Sequence, residues 1–229
     1  MRKEKTAEMF NSIASKYDFL NSLFSLRIDK LWRRKLRKML DCANPAVVLD
    51  VATGTADLAI ECVKKKKKKI IGIDISNEML ELGRKKIEKK NLCDHIELLY
   101  GDSENLNFES SVFDAVTIAF GLRNFENREK ALREIHRVTK PSGKLFILDF
   151  SIPENPLVCF PYRFYFFKIM PLIGKLISGN SMAYKYLPNS VSDFPQYEKM
   201  IELLNRAGYK KTEYKPLTFG IATIYCGEA

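Results

Sequence analysis

Five short apolar runs recur between residues 46 and 150 with helical patterns between them, and this alternation constrains the fold more than any other feature of the chain. AVVLDVA (46–52), KIIGIDI (69–75), HIELLYG (95–101), FDAVTIAF (113–120) and KLFILDF (144–150) each have the length and near-continuous apolar character of a strand covered on both faces. Helical patterns fall near 56–65, 77–90 and 127–139. In the last of these, Ala131, Leu132, Ile135 and Val138 recur at helical spacing, and Pro141-Ser142-Gly143 stops the pattern. Strands separated by helices in this order predict an α/β fold with a doubly wound, mostly parallel sheet. Two further strand patterns, YKKTEYKPLT and FGIATIYCGE, follow a helix at about 194–207 and meet near Phe219-Gly220, which brings the expected sheet to seven strands.

The flanks read differently. Residues 1–41 form helical patterns, with Met9, Phe10 and Ile13 in one and Leu31, Trp32, Leu36, Met39 and Leu40 in the next. Residues 151–190 are rich in aromatic and basic side chains without strand alternation. The expected organisation is one domain over 1–229, with an N-terminal helical arm (1–41), a core (46–150), an aromatic cap (151–190) and a closing helix and strands (191–229). A chain of 229 residues that is 46% hydrophobic can bury a sizeable core, which excludes disorder. The net charge of +10 is unevenly placed: residues 1–40 hold 11 basic and 4 acidic groups, and a run of six lysines spans 64–69. Read alone, such a balance admits a nucleic acid or an anionic membrane as partner.

Five widely spaced cysteines (42, 62, 93, 159, 226) and only two histidines, His95 and His136, point to buried thiols in a reducing compartment rather than a disulfide framework or a metal site. Neither histidine is expected to act as a base. The N-terminus has charge without an apolar segment behind it and does not read as a signal peptide. The most membrane-like stretch, 157–177, is interrupted by Pro161 and Pro171 and carries Arg163, Lys168 and Lys175, so it is not expected to span a bilayer.

The chemistry-bearing residues collect where strands end. LDVATGTADLA (49–59) places Asp50 in the first strand and a single glycine, Gly54, at the turn into a helix, flanked by Thr53 and Thr55. Such a turn lets a ligand approach backbone amides at the carboxyl edge of a sheet, but it lacks the glycines that admit a dinucleotide pyrophosphate. Asp74, ending the second strand 24 positions after Asp50, can accept from both hydroxyls of a ribose, in NAD or in S-adenosylmethionine alike. After the third strand, Asp102 can accept from an adenine amino group, with Ser103 beside it. Three polar groups at three adjacent strand ends favour a nucleoside-type cofactor.

With these segments in view, the chain resembles the class I S-adenosylmethionine-dependent methyltransferases, and more closely the UbiE/MenG family of quinone C-methyltransferases. The resemblance is carried by YDFLNSLFSLRIDKLWRR (17–34), LDVATGTADL (49–58), FDAVTIAFGLRNF (113–125) and RVTKPSGKLFILDFS (137–151), and extends over nearly the whole chain. It implies a Rossmann-like fold and S-adenosyl-L-methionine as cofactor. It also implies contacts to that cofactor from Thr55, Asp74, Asp102 and Ser103, with Asp50 and Gly54 shaping the methionine end. Three positions depart from the family pattern: Ala119 replaces a frequent serine, Asp29 a common histidine before the tryptophan, and Asp149 the usual glutamate.

The implied reaction is methylation of demethylmenaquinol in menaquinone biosynthesis, with a related benzoquinol as the alternative acceptor. Ring-carbon methylation requires the electron-rich hydroquinone. Arg123 and Asn124, in FGLRNF, are expected to face the acceptor, Arg123 stabilising a phenolate, while Tyr17 and Asp18 close over the site. No metal is expected. A polyprenyl acceptor resides in the bilayer, and the aromatics and cations of 156–190 suit an element that lies on an anionic membrane. The expected location is the cytoplasm and the inner face of its membrane. The lysine run is read as a solvated loop, which leaves the N-terminal arm to meet lipid. Nucleic acid is not the expected partner, because neither an Asp/Asn-Pro-Pro-aromatic run nor a Pro-Cys nucleophile occurs. A nicotinamide oxidoreductase lacks its glycines here, and a non-catalytic lipid-binding protein on the same fold would not need intact cofactor segments.

Overall fold

A computed structural model describes residues 3–25, 27–63, 68–169 and 181–229, with the side chains of 15–21, 23, 24 and 181–185 also left undescribed. In chain order the elements are α1 (Lys3–Phe24), α2 (Ile28–Ala43), β1 (Val47–Val51), α3 (Asp57–Cys62), β2 (Lys69–Asp74), α4 (Asn77–Lys89), β3 (Ile96–Tyr100) and β4 (Phe113–Ala119). They continue with α5 (Arg128–Val138), β5 (Thr139–Phe150), α6 (Pro156–Phe164), a π-helical turn (Tyr165–Ile169), α7 (Ser181–Ser192), α8 (Glu198–Arg206), β6 (Lys210–Leu217) and β7 (Ala222–Glu228). One sheet of seven strands has the order β3-β2-β1-β4-β5-β7-β6. Strands β1 to β5 are parallel, and β7 enters antiparallel between β5 and β6.

The period-2 geometry of strands explains why these runs are apolar throughout. Along β1, Val48 faces a layer that includes Trp32, Leu36 and Leu40 of α2 and Leu80 and Ile87 of α4. Its neighbour Leu49 faces the opposite layer, with Leu132 and Ile135 of α5 and Met200 and Leu204 of α8. In β5, Phe146 and Leu148 belong to the first layer, Leu145 and Ile147 to the second. Both faces of the sheet are therefore dry, and each helix contributes a single apolar stripe: Trp32, Leu36 and Leu40 of α2 lie four residues apart and are 4%, 0% and 0% exposed. Leu31, expected in the same stripe, is 57% exposed because it lies a quarter-turn away.

Other departures have local causes. β5 begins at Thr139 rather than Lys144: Thr139 pairs with Phe113, the register shifts before Ala115, and Ser142 (φ 63°) and Gly143 bond to Ala229. The Pro-Ser-Gly sequence thus stops α5 and enters the sheet as an irregular strand start. β7 begins at Ala222 because Thr218–Gly220 forms a 3₁₀ turn, with Phe219 at φ 57°. Most of the lysine run lies outside the described residues. Lys68, however, is 2% exposed and ion-paired to Asp41 at 2.5 Å, which corrects the reading of that end of the run as solvated. Cys62 and Cys226 are buried, whereas Cys42 and Cys93 are exposed and depart from the buried-thiol expectation.

Candidate active site

The strand order reverses direction at β1, whose neighbours are β2 on one side and β4 on the other. A crevice opens outside the carboxyl ends of the strands at such a point, and here it holds about 730 Å³, including its solvent-open part. Its lining comes from four strand ends (Val51, Ile73, Gly101 and Ala119) and from the loops that follow them. Gly121 permits the close approach of two of these loops, because a Cβ there would stand 2.5 Å from the Cβ of Ala52.

Asp74 organises the polar side. Its carboxylate accepts from the Gly54 amide at 2.8 Å and the Ser76 amide at 2.9 Å. The Ile75 amide also contributes, and since a carboxylate has about four acceptor positions, capacity remains for a ligand hydroxyl. Burial raises the Asp74 pKa, against the opposing pull of those amides. Gly54, at φ +57°, turns its amide toward Asp74 in a conformation that glycine adopts without steric cost. Asp102 and Ser103 line the same pocket. Asp102 is taken up by Lys3, whose ammonium stands 2.7 Å from it and 3.0 Å from Glu104. Burial opposes ionisation of Asp102, but the Lys3 bond and charge outweigh it and lower its pKa.

Asp50 and Thr55 line a smaller adjoining cavity that shares Ala52, Gly54 and Ala119 with the main pocket. Asp50 is 1% exposed and accepts from Thr53 at 2.7 Å and Thr117 at 2.6 Å. Burial pushes its pKa up to about 6, and the two hydroxyls offset only part of that. Thr55 accepts from Lys86 at 2.8 Å.

The segment after β4 splits its two expected residues. Asn124 lines the pocket, and its amide oxygen accepts from the Tyr186 hydroxyl at 3.0 Å. Arg123 is outside the lining: it is 6% exposed, ion-paired to Asp149 at 2.8 Å, and donates to the Phe120 carbonyl. The expectation that it faces the acceptor is therefore revised. Asp149 is 0% exposed and requires a buried counter-charge, which Arg123 supplies. Phe120 itself has φ 58°, a left-handed conformation that costs a non-glycine residue roughly 1–2 kcal/mol. Tyr17 and Asp18 fall in α1 with side chains outside the described residues.

Sequence reasoning missed the contribution of the start of α1. Lys3, Thr6 and Phe10 line the pocket, and the spacing of three and four residues puts them on one helical face. That spacing was legible, but a mixed Lys-Thr-Phe face does not separate from ordinary amphipathic patterning until the helix is seen lying over the pocket.

The pocket suits an adenosyl cofactor: a carboxylate with spare acceptor capacity at the β2 end, a backbone amide at Gly54, and apolar walls from Ile75, Met79 and Phe125. Fold and site together define a class I methyltransferase. The model of the ubiE/COQ5 methyltransferase family matches residues 1–229, and the chain belongs to that family. It is 44% identical over 227 residues to the ubiquinone/menaquinone biosynthesis C-methyltransferase UbiE of Geotalea daltonii, covering 98% of this chain and 96% of that one. It is 40% identical over 225 residues to the demethylmenaquinone methyltransferase of Bacteroides fragilis, covering 98% and 92%. Among solved structures, a Thermotoga maritima SAM-dependent methyltransferase described as a possible histamine N-methyltransferase superposes with a TM-score of 0.67 at 18% identity. That match covers 96% of this chain and 98% of the other and shows the shared fold. The chain is a methyltransferase that uses S-adenosyl-L-methionine.

Proposed function

We propose that this methyltransferase methylates a ring carbon of a prenylated quinol, with demethylmenaquinol as acceptor. The names of the two curated relatives support the acceptor class. One structural observation carries the reading further: α6 presents Leu157, Phe160 and Phe164 to solvent at 86%, 80% and 58% exposure. Their spacing of three and four residues makes one apolar stripe, flanked by Arg163 and Lys168, as an element meeting a bilayer requires. An exposed stripe of this kind is costly in water and is accounted for when the acceptor is dissolved in lipid. No described helix is long and apolar enough to cross a membrane.

When bound, S-adenosyl-L-methionine supplies a methyl group on a sulfonium. Asp74, Asp102 and Ser103 hold and orient the adenosine part, while Asp50, Gly54 and Thr55 shape the methionine end. Asn124 meets the acceptor. Arg123, neutralised by Asp149, acts as a positioning residue that fixes the Phe120 carbonyl and hence the wall of the pocket. Alignment of ring carbon and methyl group in a shielded pocket is the main catalytic contribution. A benzoquinol acceptor is the second reading, favoured by the double name of the Geotalea relative. Quinones extracted from cells lacking this protein are expected to contain demethylmenaquinone in place of menaquinone. Accumulation of an unmethylated benzoquinone selects the second reading, and an unchanged profile overturns both.

A further inference from the structure

A second cavity, holding about 850 Å³ with its solvent-open part, lies between α2, α6 and the turn before β7. Its walls include Ile28, Trp32, Phe150, Val158, Phe166 and Ile221. Four side chains with hydroxyls also reach it, Tyr165 among them, and two others are engaged: Ser25 donates to Asp29 at 2.7 Å, and Thr218 accepts from the Trp32 indole at 2.8 Å. The fourth is Tyr162, 8% exposed, whose hydroxyl is buried without a hydrogen-bond partner among the described residues. A buried orphan hydroxyl in an otherwise apolar chamber calls for a ligand that is hydrophobic with one polar atom.

A cluster of packed aromatic rings separates the chamber from the cofactor pocket. Phe120 lines the cofactor pocket, and its ring centroid lies 6.2 Å from that of Trp32 and 4.8 Å from that of Phe150, both of which line the second cavity. The left-handed backbone of Phe120 directs this side chain into the partition.

We propose that this cavity is the acceptor pocket. It takes the aromatic ring and first isoprene unit of a hydroquinone, with one ring oxygen on the Tyr162 hydroxyl, and the Phe120 side chain is the wall that swings to bring ring carbon and methyl group together. The assignment rests on the quinol reading above. It also places the exposed stripe of α6 on the same helix as the chamber wall, so the remaining isoprenoid chain can continue from Tyr162 toward lipid.

Trp32 is the single tryptophan of the chain and lines this cavity, so its emission reports on it, and a titration with S-adenosylmethionine alone corrects for changes passed on through Phe120. Titration of the full-length protein with a demethylnaphthoquinone bearing one isoprene unit is expected to quench its emission saturably, beyond the quenching of free N-acetyltryptophanamide. Val158→Phe, which fills the chamber, should abolish the saturable part and raise KM for the quinol at least tenfold, with S-adenosylmethionine affinity measured by calorimetry unchanged. Tyr162→Phe should weaken quinone binding about tenfold while leaving the thermal midpoint near that of wild type, because the lost hydroxyl had no partner. Absence of saturable quenching, or quenching and KM indifferent to both substitutions, overturns the assignment. Saturable quenching that Val158→Phe removes, in a protein that methylates no quinol, upholds the cavity and overturns the functional reading instead.

Discussion

Asp50 is the residue whose environment contradicts its charge most sharply. It is fully enclosed by β1, Thr53 and Thr117, and burial pushes its pKa up to about 6, above the usual carboxylate range. A carboxylate whose folded pKa is raised binds a proton in the native state that the unfolded chain has released. Its contribution to stability is therefore complete below about pH 4 and is lost as pH rises through about 6. Asp50→Asn mimics the protonated form, so it should raise the melting midpoint at pH 8, by up to about 3 kcal/mol in stability, and change it little at pH 4. Thermal melts at the two pH values check this; equal shifts at both would show that burial of the charge is not the cause. Lys3 works on the opposite principle. Desolvation disfavours its charge, but the bonds to Asp102 and Glu104 win and raise its pKa. The pair with Asp102 is about one-third exposed at both ends, so it is worth at most about 1 kcal/mol. Lys3→Met should weaken S-adenosylmethionine binding roughly two- to fivefold at low salt by loosening α1 over the pocket. The difference should shrink at high ionic strength, and calorimetry at two salt concentrations tests both statements.

Elements differ in how far their roles could be read ahead of the structure. The strands and α4 and α5 were legible because both faces of a parallel sheet are buried, and so β1, β2 and β4 are apolar almost without interruption. Asp74 and Asp102 were legible as strand-end residues for the same reason: a polar group closing an apolar run has a defined place at the sheet edge. Arg123 was not, since its direction depends on Asp149, 26 residues later and brought beside it only by the pairing of β4 with β5. The basic arm was likewise only half readable. Arg33 pairs with Asp29, and Arg37 with Asp41 and Glu61, whereas exposed Lys30, Arg34 and Lys38 have no ion-pair partner within 4 Å among the described residues. These three recur every four residues and form one basic face of α2, beside which Lys35 and, on α1, Lys5 are also exposed. The apolar stripe of α6 belongs at this scale too. Replacing Leu157, Phe160 and Phe164 together by serine should cut retention on anionic vesicles at least tenfold, since each Phe or Leu buried contributes about 1.5–3 kcal/mol. The melting midpoint should stay nearly unchanged, because the side chains are exposed. Undiminished sedimentation with vesicles would remove α6 from the interface.

Across the whole molecule, a polar pocket at the switch between β1 and β4 adjoins an apolar cavity built from α2, α6 and the end of β5, and Phe120 stands between them. The cofactor half follows from strand ends in order and was accessible to sequence reasoning. The apolar cavity gathers residues 25–32, 150–166 and 218–221, which no local pattern connects. Methylation of a ring carbon of a reduced quinol is the activity proposed for the two cavities together. It is tested most directly by supplying S-adenosylmethionine with a deuterated methyl group and demethylmenaquinone, reduced or oxidised, and locating the label in the product by mass spectrometry and NMR. The expected product carries a CD₃ group on the ring carbon and forms only from the reduced substrate. A CD₃ ether on a ring oxygen, or equal labelling of the oxidised quinone, would contradict that activity.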